Sequence, residues 1–197
     1  DATKEDIDKP KLSNTINILL LGSDSLKEGQ DRADTLMLAS VDLTTNQVGI
    51  ISLPRDTRVK LSEKRGYHKL NAAYAYGGTK LTTNVVEKLL QVPIDYYIKV
   101  DYQGFVELIN TLGGVEVEIE KDLKYVDHAA DLVIDLEQGK HNLNGSEALN
   151  YVRFRHDALG DIGRIKREQK LLKEIIAQIL KPKTIFKIPE LITKLNN

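Results

Sequence analysis

The sequence contains no cysteine, no uninterrupted apolar run of membrane-spanning length and no excess of one charge. The absence of cysteine excludes disulfides, thiolate metal sites and cysteine nucleophiles, although it does not fix the cellular compartment. The longest apolar run, INILLLG, has the length of one strand and not the roughly eighteen residues of a membrane span. A net charge of −1 provides no basic field of the kind that nucleic-acid-binding proteins carry.

The sequence motifs of several large enzyme classes are missing as well. The chain has no Walker lysine motif, dinucleotide-binding glycine fingerprint, nucleophile elbow or HExxH zinc motif. Its four histidines lack the spacing of a metal site. The chain is therefore not an ordinary kinase, dehydrogenase, serine hydrolase or zinc protease.

The order of apolar patterns predicts a mixed α/β fold. INILLLGSD, TLMLASVDL and QVGIISLP have the composition of strands, while LNAAYAYGG, TKLTTNVVEKLLQ, YQGFVELINTLGG and residues 164–180 have helical periodicity. We expect a mixed central β-sheet sandwiched by α-helices in one domain, residues 15–197. Residues 1–14 are polar and predict a tail or linker, residues 121–141 an irregular, substrate-facing loop, and TIFKIPELITKL a short final helix.

Arginine is distributed unevenly along this chain. Six of the eight arginines fall in three short segments, DRADT, PRDTR and YVRFRHDALGDIGR, whereas the more numerous lysines are scattered. An arginine side chain presents a rigid fork of donors that binds phosphate or carboxylate oxygens in pairs. The clustering therefore indicates a polyanionic ligand held in one place. The six residues are Arg32, Arg55, Arg58, Arg153, Arg155 and Arg164.

Two carboxylates flank the first predicted turn. Asp24 follows the first strand and Asp34 precedes the second, a placement that suits a hard cation such as Mg²⁺. The simpler alternative, a turn residue and a cap, is commoner for aspartate. In an extended segment, Arg32 and Asp34 lie on the same face. Arg32 either binds the anionic ligand or forms a surface ion pair with Asp34. Pro54 ends the third strand and leaves Arg55 at a rigid strand exit.

The third arginine segment predicts an anion clamp. Arg153 and Arg155 flank Phe154, so in an extended segment both point one way while the phenylalanine points into the core. The alternative is a pair of solvated charges near a helix C-terminus. Arg164 lies near a predicted helix start, where a positive charge is unfavourable unless an anion is bound. Gln169 follows about one and a half turns later, and Lys69 is a further polar candidate.

Seven segments in this order resemble the LytR-CpsA-Psr family of bacterial cell-envelope proteins. They cover about residues 15 to 180 and are INILLLGSD, DRADTLMLASVD, ISLPRDTRV, KLNAAYAYGG, VPIDYYIKVDYQGFVELINTLGGVEVEI, GKHNLNGSEALNYVRFRHD and DIGRIKREQ. The resemblance implies a hydrophobic pocket between sheet and helices that binds polyisoprenyl (undecaprenyl) pyrophosphate lipids. It also implies a phosphotransferase that moves wall teichoic acid or capsular polysaccharide from that carrier onto peptidoglycan. Such a protein is anchored by an N-terminal segment to the outer face of the cytoplasmic membrane, in a Gram-positive type of envelope.

The resemblance also assigns roles by motif. Asp24 and Asp34 would hold Mg²⁺, or Mn²⁺ in its place; Asp34 or a neighbouring carboxylate would take the proton of the attacking sugar hydroxyl. Asp34, Arg55, Arg153 and Arg155 would be the catalytic residues. The pyrophosphate-binding set would be Arg32, Arg55, Arg58, Lys69, Arg153, Arg155 and Arg164, supported by Gln169, with Arg58 matching the motif least closely.

Two other functions use the same residues. A regulatory module would hold polyprenyl phosphates without turnover, and a lipid pyrophosphatase would use water in place of the sugar hydroxyl. Apolar residues for a prenyl pocket are available in the helices at 81–90, 102–112 and 165–179. An apolar helix face ordinarily packs on a sheet, so sequence does not separate pocket lining from solid core.

Overall fold

The fold comes from a computed structural model that describes residues 14–23, 32–45, 47–128, 132–156 and 160–179. Those residues form ten strands and four helices. In chain order they are β1 (Thr15–Gly22), β2 (Thr35–Asp42), β3 (Gln47–Ser52), β4 (Arg58–Ser62), β5 (Gly66–Lys69), α1 (Ala72–Leu90), β6 (Tyr96–Val100), α2 (Tyr102–Leu112), β7 (Val115–Ile119), β8 (Leu123–Asp127), β9 (Leu132–Leu136), β10 (Gly139–Leu143), α3 (Gly145–Arg153) and α4 (Gly160–Ile179). The predicted final helix and the tail lie outside the described residues.

A four-stranded mixed sheet forms the centre, in the order β3-β2-β1-β6. β1 runs antiparallel to β2 and parallel to β6. Residues paired across strands lie on the same face of a sheet, so Leu19 with Leu38 and Leu21 with Leu36 form one buried apolar face. The predicted mixed α/β fold is therefore confirmed.

Helix α1 belongs to the core on this face of the sheet. Val85 and Val86 pack in the same cluster as Leu19 and Leu21. The glycine pair in YAYGG was expected to end one helix; instead the chain continues through a kink at Gly77 and Gly78 into the rest of α1. Gly78 adopts φ +59° and ψ −154°, a backbone conformation that only glycine adopts readily, so the kink is built into the sequence.

A second apolar cluster joins α2, α3 and α4 to the strands β7 to β10. Asn144 caps α3 in a capping box with Glu147. Gly145 begins that helix against α2, where an added Cβ would lie 2.3 Å from the carbonyl oxygen of Val106. Only glycine therefore allows α2 and α3 to approach this closely.

The prediction of an irregular loop at residues 121–141 is wrong. β8 and β9 pair antiparallel in this stretch and β10 begins at Gly139. Leu123 and Ile134 point inward, while Lys124 and Asp135 point outward and pair at 3.6 Å. The charged outer residues made the stretch appear loop-like, although the apolar residues still alternate with a period of two.

Within the described residues, none of the helices combines the length and the apolar character that crossing a membrane requires.

Candidate functional site

One end of the central sheet brings the three arginine-bearing parts of the chain within reach of one another. β1 ends, β2 begins and β3 ends at this edge, because Gly22 pairs with Thr35 and Met37 pairs with Ser52. The amide of Asp34 donates to the Gly22 carbonyl at 2.8 Å, which fixes the start of β2 beside the end of β1. Residues that leave or enter these strands are therefore held by a rigid sheet.

Asp34 and Arg55 form the centre of the site. Arg55 Nη1 donates to Asp34 Oδ1 at 2.5 Å, and the two side chains stay about equally accessible at 39% and 43% exposed. Pro54 follows the end of β3 and leaves Arg55 just beyond the strand, as the PRD sequence predicts; the pairing of Arg55 with Asp34 comes from the structure. The pair lines a small cavity of about 40 Å³ together with Arg164 and Glu168 of α4.

Helix α4 supplies a second, more buried ion pair to the same cavity. Arg164 and Glu168 lie one turn apart, with Nε and Oε1 separated by 3.8 Å, and their side chains are only 13% and 15% exposed. Arg164 Nη2 also approaches Asp161 Oδ1 at 3.4 Å. Burial raises the pKa of Glu168, although Arg164 and Arg155 oppose that shift. The cavity thus contains two arginines and two carboxylates.

The segment after α3 contributes its arginines differently from the prediction. Arg153 is the last residue of α3, so the expected extended conformation is wrong there, whereas the burial of Phe154 is confirmed. The guanidinium of Arg153 lies 5.1 Å from the centre of the Tyr102 ring. Arg155 approaches Asp161 at 3.9 Å, the same carboxylate that approaches Arg164. Asp161 therefore links Arg155 to Arg164.

Arg167 is a structural arginine that sequence reasoning overlooked. Its side chain is 3% exposed; Nη2 donates to the Phe154 carbonyl at 2.6 Å and Nη1 donates to Glu120 at 3.2 Å. It thereby fixes the backbone between Arg153 and Arg155. Its four-residue spacing from the buried Gly163 and Leu171 was the available signal, since that spacing places all three on one helix face.

The other predicted site residues lie around this centre. Arg32 is exposed just before Asp34. Gln169 donates to Ser52 Oγ at 3.0 Å and so joins α4 to the end of β3. Lys69 pairs with Asp56 at 2.7 Å, and that hydrogen bond lowers the pKa of Asp56. Arg58 lies on β4, over the ring of Tyr67. Asp24 falls outside the described residues.

Asp34 is the predicted metal ligand that the structure describes. The described part of the chain contains no group of three or more histidines, aspartates and glutamates close enough to hold a metal. Magnesium in phosphate-binding sites is often held by one or two carboxylates and completed by water and substrate phosphates. A half-exposed carboxylate beside two arginines fits that kind of site, because the arginines would bind the same phosphate groups.

The second face of the central sheet is apolar and only partly covered. It carries Ile18 paired with Ala39 and Tyr96, and Leu20 paired with Met37 and Ile98. Tyr96 and Ile98 are 63% and 37% exposed. Helix α4 contacts the edge strand β3 and helix α2 contacts the opposite edge strand β6. The two helices thus flank an apolar surface, defined by these six residues, that we call the open sheet face. It is exposed at Tyr96 and Ile98 and covered at Met37 and Ala39.

Glu168 gives the site a measurable pH dependence. Because burial raises its folded-state pKa above the ordinary 4.5, the folded protein loses stability as pH rises from about that value through the raised pKa. Glu168→Gln removes this loss, so we expect it to unfold at higher urea concentration than wild type at pH 7 and to differ little at pH 4. Urea unfolding between pH 4 and 8 measures the difference, with the exposed Glu174→Gln on the same helix as control. A difference independent of pH would contradict the assignment.

Three comparisons with known proteins agree. A sequence model of the LytR_cpsA_psr family matches residues 1–197. The chain is 36% identical over 182 residues to the regulatory protein MsrR of Staphylococcus aureus strain Mu50, covering 91% of the chain and 54% of MsrR. It is 36% identical over 187 residues to TagU of Bacillus subtilis strain 168, a polyisoprenyl-teichoic acid–peptidoglycan teichoic acid transferase, covering 91% of the chain and 59% of TagU.

A solved structure of TagT bound to LI-WTA is similar to this fold. It superposes with a TM-score of 0.73 at 34% identity, over 83% of this chain and 64% of TagT. The chain spans little more than half the length of the curated relatives it matches. The family model, which matches residues 1–197, includes every residue of the arginine site.

Proposed function

The chain belongs to the LytR-CpsA-Psr family, and from this premise we propose that it transfers an anionic glycopolymer from a polyisoprenyl pyrophosphate carrier to peptidoglycan. The polymer is wall teichoic acid or capsular polysaccharide. The reaction takes place on the outer face of the cytoplasmic membrane, to which an N-terminal segment anchors the whole protein, in a Gram-positive type of envelope. TagU, a relative, is a transferase of this kind, and TagT, a structural neighbour, has been solved with LI-WTA.

The observation that supports this proposal is that the arginine cavity lies directly beside the open sheet face. Met37 belongs to the open sheet face, and its β3 partner Ser52 lies on the same side of the sheet; both also line the cavity that holds Arg55 and Arg164. A ligand that suits this surface has a charged, oxygen-rich head and a long apolar tail. A polyisoprenyl pyrophosphate has that construction: its phosphates fit the arginines and its chain fits the partly exposed apolar face.

Charge neutralisation and positioning are the main demands of phosphoryl transfer. We propose that Arg55 and Arg164, which line the cavity, bind the pyrophosphate oxygens together with Arg155, which shares Asp161 with Arg164. Arg153, two residues before Arg155, is the fourth proposed ligand. Mg²⁺, held by Asp34 and by Asp24, would neutralise further charge on the pyrophosphate when bound. The exposed ion pair of Asp34 with Arg55 contributes little stability, so both side chains are available to ligands at low cost.

The transfer forms one phosphorus–oxygen bond and breaks another. A peptidoglycan sugar hydroxyl attacks the phosphorus that bears the polymer, and polyisoprenyl phosphate leaves with the bridging oxygen. The hydroxyl proton passes to a carboxylate of the cavity. Glu168 is the proposed acceptor, because Asp34 would hold the metal ion and because burial raises the pKa of Glu168.

A reconstituted transfer assay tests the proposal. We expect the protein with a lipid-linked polymer donor, a soluble peptidoglycan oligomer and Mg²⁺ to form a phosphodiester-linked product detectable by mass spectrometry, and EDTA to abolish it. Lipid binding without product would instead support a regulatory module, a reading favoured by the name of the relative MsrR. Phosphate release that exceeds transfer would support a lipid pyrophosphatase.

A further inference from the structure

A short antiparallel hairpin next to the site has a strongly basic outer face. Arg58, Lys60, Tyr67 and Lys69 are exposed, while Val59 and Leu61 between them are buried. Arg58 pairs with Lys69 and Lys60 pairs with Tyr67 across the two strands. Paired residues lie on one face, so the three cations surround the tyrosine. We call these four residues the outer hairpin face.

The charge of this hairpin differs from that of the rest of the chain. Residues 58–69 contain five lysines and arginines and one glutamate, whereas the whole sequence has a net charge of −1. Arg58 lies directly opposite Lys69, and like charges in directly opposed positions destabilise a two-stranded sheet. A hairpin selected only for stability would have opposite charges there. The arrangement favours an anionic partner.

The ion pairs that this face already makes are weak enough to be replaced by an anionic partner. Lys60 pairs with Glu63 and Lys69 pairs with Asp56, each at 2.7 Å and each between exposed side chains. Exposed ion pairs are weak and exchange readily with other anions. Tyr67 is 59% exposed, and the Arg58 guanidinium lies 4.5 Å from its ring centre. An exposed aromatic ring beside cations suits a partner with both apolar ring faces and negative charges.

The hairpin is also joined directly to the arginine site. The amide of Asn71 donates to the Arg55 carbonyl at 3.0 Å, and the amide of Leu70 donates to the Thr57 carbonyl at 2.8 Å. β4 therefore begins, and β5 ends, beside Arg55 and Asp56. The outer hairpin face therefore begins at Arg58, three residues after Arg55 in the chain.

We infer that the outer hairpin face binds the phosphate- and sugar-containing polymer of the donor, beyond its pyrophosphate. This rests on the proposed function and names a surface for a substrate part that the arginine site does not hold. Arg58, Lys60 and Lys69 bind polymer phosphates, and Tyr67 packs against a sugar ring. An anionic membrane is the weaker fit, because every aliphatic side chain of the two hairpin strands, Val59 and Leu61, points into the core and none is available to enter a bilayer.

Binding of a lipid-free polymer tests this surface. The double variant Arg58→Gln with Lys60→Gln removes two charges from it, and the matched control Lys124→Gln with Lys173→Gln removes two exposed charges elsewhere. With a fluorescent poly(glycerol phosphate) chain at low salt, we expect the hairpin variant to bind roughly five- to tenfold more weakly than the control. The difference should narrow as salt screens the charges. Tyr67→Ala should weaken a glycosylated chain more than an unsubstituted one.

The outcomes are distinct. Equal affinity of the two double variants for the polymer would overturn the inference, as would a loss confined to vesicles containing phosphatidylglycerol. The assay uses neither lipid carrier nor acceptor. Weaker polymer binding by the hairpin variant therefore supports the inference even if the wild type forms no transfer product. If the wild type forms product but the hairpin variant binds polymer as well as the control, the inference is overturned and the proposed function stands.

Discussion

Arg55→Ala is expected to reduce the initial rate of polymer transfer by about 10²- to 10³-fold, the usual effect of removing one charge-stabilising donor from a transition state. Arg55 combines three properties that support this size of effect: it leaves a rigid strand, lines the cavity and forms an ion pair with Asp34. Arg55→Lys should recover only part of the rate, because an ammonium group keeps the charge but lacks the guanidinium fork.

Arg55→Ala should lose transfer activity while it keeps nearly all of its folding stability. The Arg55 to Asp34 pair is about two-fifths exposed, so its removal should cost only about 0–1 kcal/mol of folding free energy. Arg65→Ala is the matched control, since Arg65 is exposed in the turn of the hairpin and does not line the cavity. An Arg55→Ala variant that keeps more than about a tenth of the wild-type rate, a deficit under 1.4 kcal/mol, would contradict the central role of this arginine.

Arg167→Ala is expected to destabilise the fold by about 2–4 kcal/mol. The substitution leaves the Phe154 carbonyl without its charged donor and opens a cavity beside the Phe154 ring. Glu120 is 42% exposed and can be rehydrated, which keeps the loss below that of a fully buried pair. For a chain of this length the change corresponds to a fall in Tm of roughly 5–15 °C, measurable by calorimetry.

Two further measurements separate the effects of Arg167 on stability and on activity. Lys166→Ala changes the adjacent, exposed residue of the same helix and should leave Tm nearly unchanged. Transfer by Arg167→Ala, assayed well below its own Tm, should still be reduced, because the backbone between Arg153 and Arg155 loses its hydrogen bond to α4. If Arg167→Ala has the same Tm as Lys166→Ala, Arg167 does not stabilise the segment between Arg153 and Arg155.

Local patterns predicted the elements that depend on local physics. Alternating or continuous apolar runs gave the central strands, and Asn144 with Glu147 gave the start of α3, because a capping box is complete within four residues. The PRD sequence predicted that Arg55 leaves the end of β3. The arginine clustering predicted a local polyanion site, and the structure places Arg55, Arg155 and Arg164 around one end of the sheet.

Other features depended on partners distant in sequence. The strands β8 and β9 have charged outer residues that made their segment resemble a loop, and only their pairing and their contact with the second core make them strands. Arg153 was expected in an extended segment, yet it is the last residue of α3, and the backbone becomes extended only at Phe154, which is buried in the second core. Glu168 gains its raised pKa from burial, which no spacing in the sequence reveals.

Residue type, period and order are properties of the chain, and they were enough to indicate the family, the mixed α/β character and the three arginine-rich segments. The folded structure was needed to show which arginines line the cavity, which one is buried and which lies on the basic hairpin, because the role of a guanidinium depends on the groups around it. Arg55, Arg167 and Arg58 have the same chemistry, but a half-exposed sheet end, a buried carbonyl and an exposed tyrosine give them different tasks.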